Sequence, residues 1–271
     1  MTKCFETLAK KNETALIPYV TAGLPTAEST VRLMHEMVDS GANLIELGIP
    51  FSDPMADGPI IQQANEKALR QGITLPKVLD IVFQFRQKDQ RTPIILMGYL
   101  NPIEQMGYIE FAEQATSAGV DGVITVDLPP EESTKLRDVL KRKPLEIIYL
   151  IAPTTSEKRL EYISKISSSF IYYVSVKGIT GSSNFDTTNA RKGISKIRHL
   201  SNCPIGIGFG IKDKRSATNA AEVADAIIIG TALIEKIDND VESSITNIKR
   251  FLSSIKNSLE NPNHATVTSN V

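Results

Sequence analysis

Short apolar runs of strand length alternate with longer amphipathic stretches along most of the chain. The runs that read as strands are Leu16–Thr21, Leu44–Leu47, Ile94–Met97, Gly122–Val126, Glu146–Leu150, Phe170–Val174, Ile205–Ile207 and Ala226–Ile229. Most are apolar at nearly every position, as strands covered on both faces of a parallel sheet are. Between them, apolar residues recur at helical spacing over Ala27–Asp39, Val78–Gln87, Tyr108–Ser117, Glu131–Arg142, Glu157–Ile166, Arg191–His199 and Ala217–Val223. Eight strands alternating with helices predict an α/β fold, a (β/α)8 TIM barrel. A doubly wound open sheet has the same alternation, but glycines after the seventh and eighth strands favour the barrel. An extra helix is expected before the first strand, around Cys4–Lys10, and a last one over Val241–Ser258. The expected organisation is one domain over 1–258 and a polar, frayed tail over 259–271.

Composition narrows the function classes. The 271 residues hold 30 basic and 31 acidic side chains, a net charge of -1, with 41% hydrophobic and 23% charged residues. This is an ordinary globular balance and gives no hint of a nucleic-acid or membrane partner. The two cysteines, Cys4 and Cys203, are far apart without metal-type spacing and read as reduced thiols. The N-terminus lacks the apolar core of a secretory signal, and no apolar run approaches the ~20 residues that span a bilayer. A cytoplasmic location is expected.

The candidate chemistry begins in the run Asn43-Leu-Ile-Glu-Leu-Gly-Ile-Pro-Phe-Ser-Asp-Pro-Met-Ala-Asp-Gly-Pro59. Period-two alternation puts Leu44, Glu46 and Gly48 on one face of the second strand. A carboxylate on an apolar strand is costly to bury unless it has a partner or a task. Asp57 follows in a loop rich in Pro, Asp and Gly. The two read as an acid/base pair, one carboxylate on a rigid strand and one on a loop able to close over a substrate. The plainer alternatives are a buried salt bridge for Glu46 and a turn or cap before Pro59 for Asp57.

Gly208-Phe209-Gly210 follows the seventh strand, and Gly230-Thr231 follows the eighth and opens a short helix over Ala232–Ile237. Glycines let backbone N–H groups approach an anion, and these loops are the usual phosphate position in barrels. The loop after the sixth strand, Gly178-Ile-Thr-Gly181 through Asn189, is rich in Gly, Ser, Thr and Asn and reads as a mobile lid. Tyr172 shares parity with Phe170 and Val174, which points it into the barrel; a plain core tyrosine is the alternative.

The strand-two run resembles the signature of the tryptophan synthase alpha subunit family, and the resemblance extends in motif order from about Phe5 to about Phe251. It implies retro-aldol cleavage of indole-3-glycerol phosphate to indole and glyceraldehyde 3-phosphate. In it Glu46 moves protons at C3 of the indole and at the side-chain hydroxyl, while Asp57 stays ionised against the ring N–H. It adds Tyr172, Thr180, Gly181, Phe209, Gly210, Gly230 and Thr231 as substrate and phosphate contacts, and Asp127 as a carboxylate that is structural before catalytic. No cofactor is implied in this chain. Pyridoxal phosphate is implied in a partner beta subunit, which receives the indole within an alpha2-beta2 heterotetramer. Ser52–Met55, including Asp53 and Pro54, and Asn101-Pro-Ile-Glu104 match positions that face this partner.

The rivals are a non-catalytic subunit that activates the beta chain and another phosphosugar-binding barrel lyase or isomerase. Lys177, where the family often carries a small hydroxyl residue, raises Schiff-base chemistry, but it has the opposite strand parity to Tyr172. His35, His199 and His264 fall on helices or in the tail and show no ligand spacing, which disfavours a metal.

Overall fold

All of the strands pair in parallel. The structure, a computed structural model, describes residues 1–174, 187–208 and 210–260. In chain order its elements are α1 (Thr2–Lys11), β1 (Ala15–Thr21), α2 (Ala27–Asp39), β2 (Ile45–Gly48), α3 (Pro59–Arg70), α4 (Leu75–Arg86), β3 (Ile94–Gly98), α5 (Leu100–Met106), α6 (Tyr108–Ala118) and β4 (Gly122–Thr125). There follow α7 (Thr134–Leu140), β5 (Glu146–Ile147), β6 (Tyr149–Ile151), α8 (Glu157–Ile166), β7 (Ile171–Val174), α9 (Thr187–Leu200), β8 (Ile205–Gly208), α10 (Lys214–Ala221), β9 (Ala226–Ile229), α11 (Thr231–Ile234) and α12 (Val241–Glu260). The sheet order is β5-β4-β3-β2-β1-β9-β8-β7-β6.

β5 and β6 are one run divided at Ile148. β5 pairs with β4 and β6 with β7, so this run closes the circle as a single barrel position. The register shows the closure directly. Tyr19 pairs with Glu46, Glu46 with Ile95, Ile95 with Gly122 and Gly122 with Glu146. Four residues on, Leu150 pairs with Tyr172, Tyr172 with Gly206, Gly206 with Ala226 and Ala226 with Ala15, itself four residues before Tyr19. The stagger around the circle is therefore eight residues, four in each half, the shear of a (β/α)8 barrel.

That stagger splits the apolar side chains into two cores. Ile17, Leu44, Ile95, Ile124, Phe170 and Ile228 fill the barrel interior. Their alternates, such as Leu16, Ile45, Leu96, Ile171 and Ile227, pack outward against the helices. α1 covers the N-terminal end of the barrel with Phe5 and Leu8, and the Phe5 ring lies 5.3 Å from that of Phe170. Interior filling and a plugged floor leave the C-terminal strand ends as the open face.

The element boundaries differ from expectation where local signals compete. α3 and α5 were not expected: the turn-like Asp57-Gly-Pro hid a helix start with Gly58 as cap and Pro59 in its first turn. α7 is shorter than Glu131–Arg142 because residues 131–133 form a turn. α10 starts earlier than expected because Asp213 and Ser216 make a reciprocal capping box. α12 runs to Glu260, past the expected domain edge at 258; the rest of the tail, from 261, lies outside the described residues. Among the described residues no helix is long and apolar enough to cross a membrane.

One charged side chain braces the barrel floor. Arg86, 8% exposed, donates to the carbonyls of Gly119, Asp89 and Thr92 and to Asp121 Oδ2 at 2.8 Å. Asp121 Oδ2 also accepts the N–H of Ile94, so one carboxylate ties α4 to the starts of β3 and β4. Arg86→Leu is expected to destabilise the chain by about 2–4 kcal/mol, because it strands several buried acceptors at once. Urea denaturation checks this; a change below about 0.5 kcal/mol, the range of a surface substitution, would mean that the network carries no stability.

Candidate active site

β2 carries Glu46 inward, into a barrel whose other walls are apolar or phenolic. Its residue is 2% exposed. Burial first, and the charge of Asp57 second, raise its pKa from the ordinary 4.5 to about 8. Among the described residues no ion pair reaches its carboxyl. The salt-bridge alternative for Glu46 is therefore not what the structure contains. A carboxyl in this state is protonated at neutral pH and able to donate.

Two tyrosines border it. Tyr19 on β1 is the direct register partner of Glu46. Tyr172 on β7 packs with the inner core, and burial followed by the charge of Glu46 pushes its phenol well above its ordinary value. Both rings need glycines to make room. A side chain at Gly48 would meet the Tyr19 hydroxyl at 2.3 Å, and one at Gly208 would meet the Tyr172 hydroxyl at 2.2 Å.

Asp57 is held differently. Its Oδ2 accepts from Asn65 Nδ2 at 3.2 Å and from the Tyr99 hydroxyl at 3.3 Å. Burial raises its pKa from 3.8, and these two hydrogen bonds oppose the rise. Gln62, one helical turn before Asn65 on α3, donates to the Asp57 carbonyl at 2.8 Å. Tyr99 stacks on Phe51 from the start of the same loop, with ring centroids 5.0 Å apart. The loop is thus braced from α3 behind it and from the end of β3 beside it. The two carboxylates lie in surroundings that separate their protonation states, as a division into acid and anion requires.

The glycines expected to border an anion follow β8 and β9. Gly210 adopts φ +81, and no atom lies within 4 Å of the point where its side chain would begin. Gly230 caps α11, whose first-turn N–H groups are those that a helix leaves without an internal partner. Thr231 opens that helix and is exposed. Thr180, Gly181, Phe209 and Lys177, with the lid loop up to residue 186, lie outside the described residues. Asp127 Oδ1 accepts the Leu100 N–H at 2.8 Å, at the start of α5. His35 stacks on Phe85 in the helical layer. Among the described residues no group of three or more His, Cys, Asp or Glu could hold a metal ion.

Sequence reasoning did not single out Tyr19, Asn65 or Tyr99. Tyr19 shares parity with Ile17 in the first strand, and Tyr99 follows Gly98 at a C-terminal strand end, the barrel's usual site position. Asn65 carried a weaker signal, a polar residue on the side of α3 that Ala64 and Ala68 bury.

A buried carboxyl inside a parallel barrel, a second carboxylate near it and glycines at two strand ends have the form of a barrel enzyme's site. The family profile described as tryptophan synthase alpha chain matches residues 5–263, and the chain belongs to that family. A tryptophan synthase alpha chain of Nitrosococcus oceani is 54% identical over 238 residues, 88% of each chain. The crystal structure of tryptophan synthase subunit alpha from Legionella pneumophila superposes with a TM-score of 0.89 at 44% identity, over 96% of this chain and 97% of that one. A chain from the tryptophan synthase a2b2 complex of the hyperthermophile Pyrococcus furiosus, a complex with mutual activation, gives a TM-score of 0.81 at 32% identity, over 90% and 98%.

The raised pKa of Glu46 has a consequence for stability. Above pH 4.5 the unfolded chain ionises Glu46, while the folded chain keeps the proton up to about 8. The folded state binds more protons across that window, so this group's contribution falls as pH rises from about 4.5 to 8 and stays at its lowest above it. Glu46→Gln is therefore expected to stabilise the chain at pH 8–9 by a few kcal/mol and to change little near pH 4.5. Urea melts of both forms across pH check it. Equal stability at pH 9 would show that Glu46 is not strained by burial.

Proposed function

We propose that this chain is the carbon–carbon lyase of a tryptophan synthase, cleaving indole-3-glycerol phosphate to indole and glyceraldehyde 3-phosphate with Glu46 and Asp57 as its acid/base pair. The observation that carries the reading is a buried Glu46 without an ion pair, among the described residues, beside a hydrogen-bonded Asp57. Glu46 starts protonated and gives its proton to C3 of the indole ring. The ring nitrogen becomes cationic and keeps its hydrogen, and Asp57 stabilises that charge. Glu46, now ionised, takes the proton of the side-chain hydroxyl as the carbon–carbon bond breaks. The electron pair of that bond returns to the ring and neutralises the nitrogen. The products are indole and an aldehyde, and Glu46 is again protonated. The phosphate rests on backbone donors around Gly210, Gly230 and Thr231, with Phe209, Thr180 and Gly181 completing that end and Tyr172 bordering the ring.

The barrel acts as one unit over 1–258 in the cytoplasm. It assembles with a beta subunit as an alpha2-beta2 heterotetramer, and pyridoxal phosphate belongs to that partner. Ser52–Met55 and Asn101–Glu104, within α5, supply the contact. Met55, 86% exposed, stands two residues from Asp57, so a partner that covers it also limits the catalytic loop. Partner binding can favour a closed loop only through contacts that differ between open and closed forms. A subunit that served only to activate its partner would gain nothing from a strained carboxyl at position 46.

Indole release from indole-3-glycerol phosphate is the test. Glu46→Gln and Asp57→Asn are each expected to lower it by at least ~10²-fold in a folded chain. Activity above a tenth of wild type in either variant removes that residue from the chemistry. The beta subunit is expected to raise single-turnover cleavage roughly 5- to 150-fold, the range of a ~1–3 kcal/mol coupling. A flat rate while a stable complex forms would contradict the coupling and leave the lyase reading in place.

A further inference from the structure

The hydrogen bonds around Asp57 point in one direction only. The Tyr99 hydroxyl accepts the Ala56 N–H at 2.9 Å, and that N–H can only donate. The single phenol hydrogen is thus free for Asp57 Oδ2, 3.3 Å away. Asn65 is 2% exposed, and its Nδ2 donates to the same oxygen at 3.2 Å. Reversing that amide would press its carbonyl oxygen against the carboxylate. The cost of the present orientation is visible, since Asn65 Oδ1 is buried with no hydrogen-bond partner. A buried acceptor left empty is unfavourable, so the amide is held by what its nitrogen does. The two donors come from different elements, α3 and the residue after β3, and meet on one oxygen. Among the described residues no hydrogen bond reaches the other carboxylate oxygen, which is the one proposed to face a substrate.

We propose that Asn65 and Tyr99 are positioning residues for the lyase reaction: together they hold one oxygen of Asp57, keep it charged and aim the other oxygen at the cationic ring nitrogen. The proposal rests on the acid/base reading of Asp57 given above. A donor to a carboxylate stabilises the ionised form over the neutral one. Both donors therefore work against burial, the influence that would neutralise Asp57. Among the described residues, the charged or titratable groups that act on the pair are Glu46 from β2, Tyr19 from β1 and Tyr99, with Asp127 acting on Tyr99. Each of these is an acid, and none of them is a cation that would do the same work.

The experiment measures kcat for indole release against pH in Asn65→Leu and Tyr99→Phe, with the beta subunit present. Leu keeps most of the volume and Phe keeps the stack on Phe51, and melting temperatures report whether each variant folds. Each change is expected to move the acid limb of the profile to higher pH and to lower kcat about tenfold on that limb, as loss of one charge-assisted bond implies. The alkaline limb, set by Glu46, is expected to stay. Adding Asn65→Leu to Asp57→Asn is expected to cost nothing further, because Asn65 acts through Asp57. A merely structural role would lower the melting temperature, or kcat equally at every pH, and leave the acid limb in place; that result in both variants overturns the proposal. Full activity of Asp57→Asn by itself would instead overturn the acid/base reading, and this proposal with it.

Discussion

The rest of the structure is arranged around one uncompensated group, the carboxyl of Glu46. Charged carboxylates buried in protein normally have a cation or a set of donors. Here β2 places the group between Tyr19 and Tyr172, beside Gly48 and beneath a second carboxylate, without an ion pair among the described residues. Burial and the negative Asp57 then act in the same sense and push its pKa up to about 8. The group is strained as an anion and comfortable as an acid. The closed, staggered barrel makes this tolerable, since a rigid shell of Ile, Leu and Phe prevents the chain from relaxing around it.

Asp57 shows the opposite design in the same cavity. It sits on a loop rather than a strand, and it has two donors where, among the described residues, Glu46 has none. The contrast turns two chemically similar side chains into an acid and an anion. Asp57 lies two residues beyond the exposed Met55, and the loop leads straight into α3. The proposed catalytic anion, the exposed Met55 and the helix that braces Asp57 thus occupy one short stretch of chain. The proposed coupling between subunit association and turnover rests on that proximity.

Much of this was legible in the sequence, and the parts that were not share a cause. Every predicted strand overlaps an observed one, because strands covered on both faces show as unbroken apolar runs. Glu46 stood out because it interrupts such a run, and Asp57 because its loop carries Pro and Gly at fixed positions. Asn65 and Tyr99 did not stand out. They are eight and 42 residues from Asp57 along the chain and become its neighbours only once α3 and the residue after β3 close around the loop. Arg86 was invisible for a similar reason: a charge on an amphipathic helix reads as solvated until the turns around Gly119 and Thr92 close over it. α3 was missed because Pro59 reads equally as a turn residue and as the first residue of a helix. Period and composition report which face is buried; they do not report which distant donors arrive there.

The central claim is that Glu46 carries its proton into the reaction, and its own titration tests that most directly. Carboxyl-labelled glutamate followed by infrared difference spectroscopy, wild type against Glu46→Gln, gives the protonation of this one side chain across pH. A protonated carboxyl band is expected at neutral pH, disappearing with a midpoint of about 8. A Glu46 that is already fully ionised at pH 6 would contradict it.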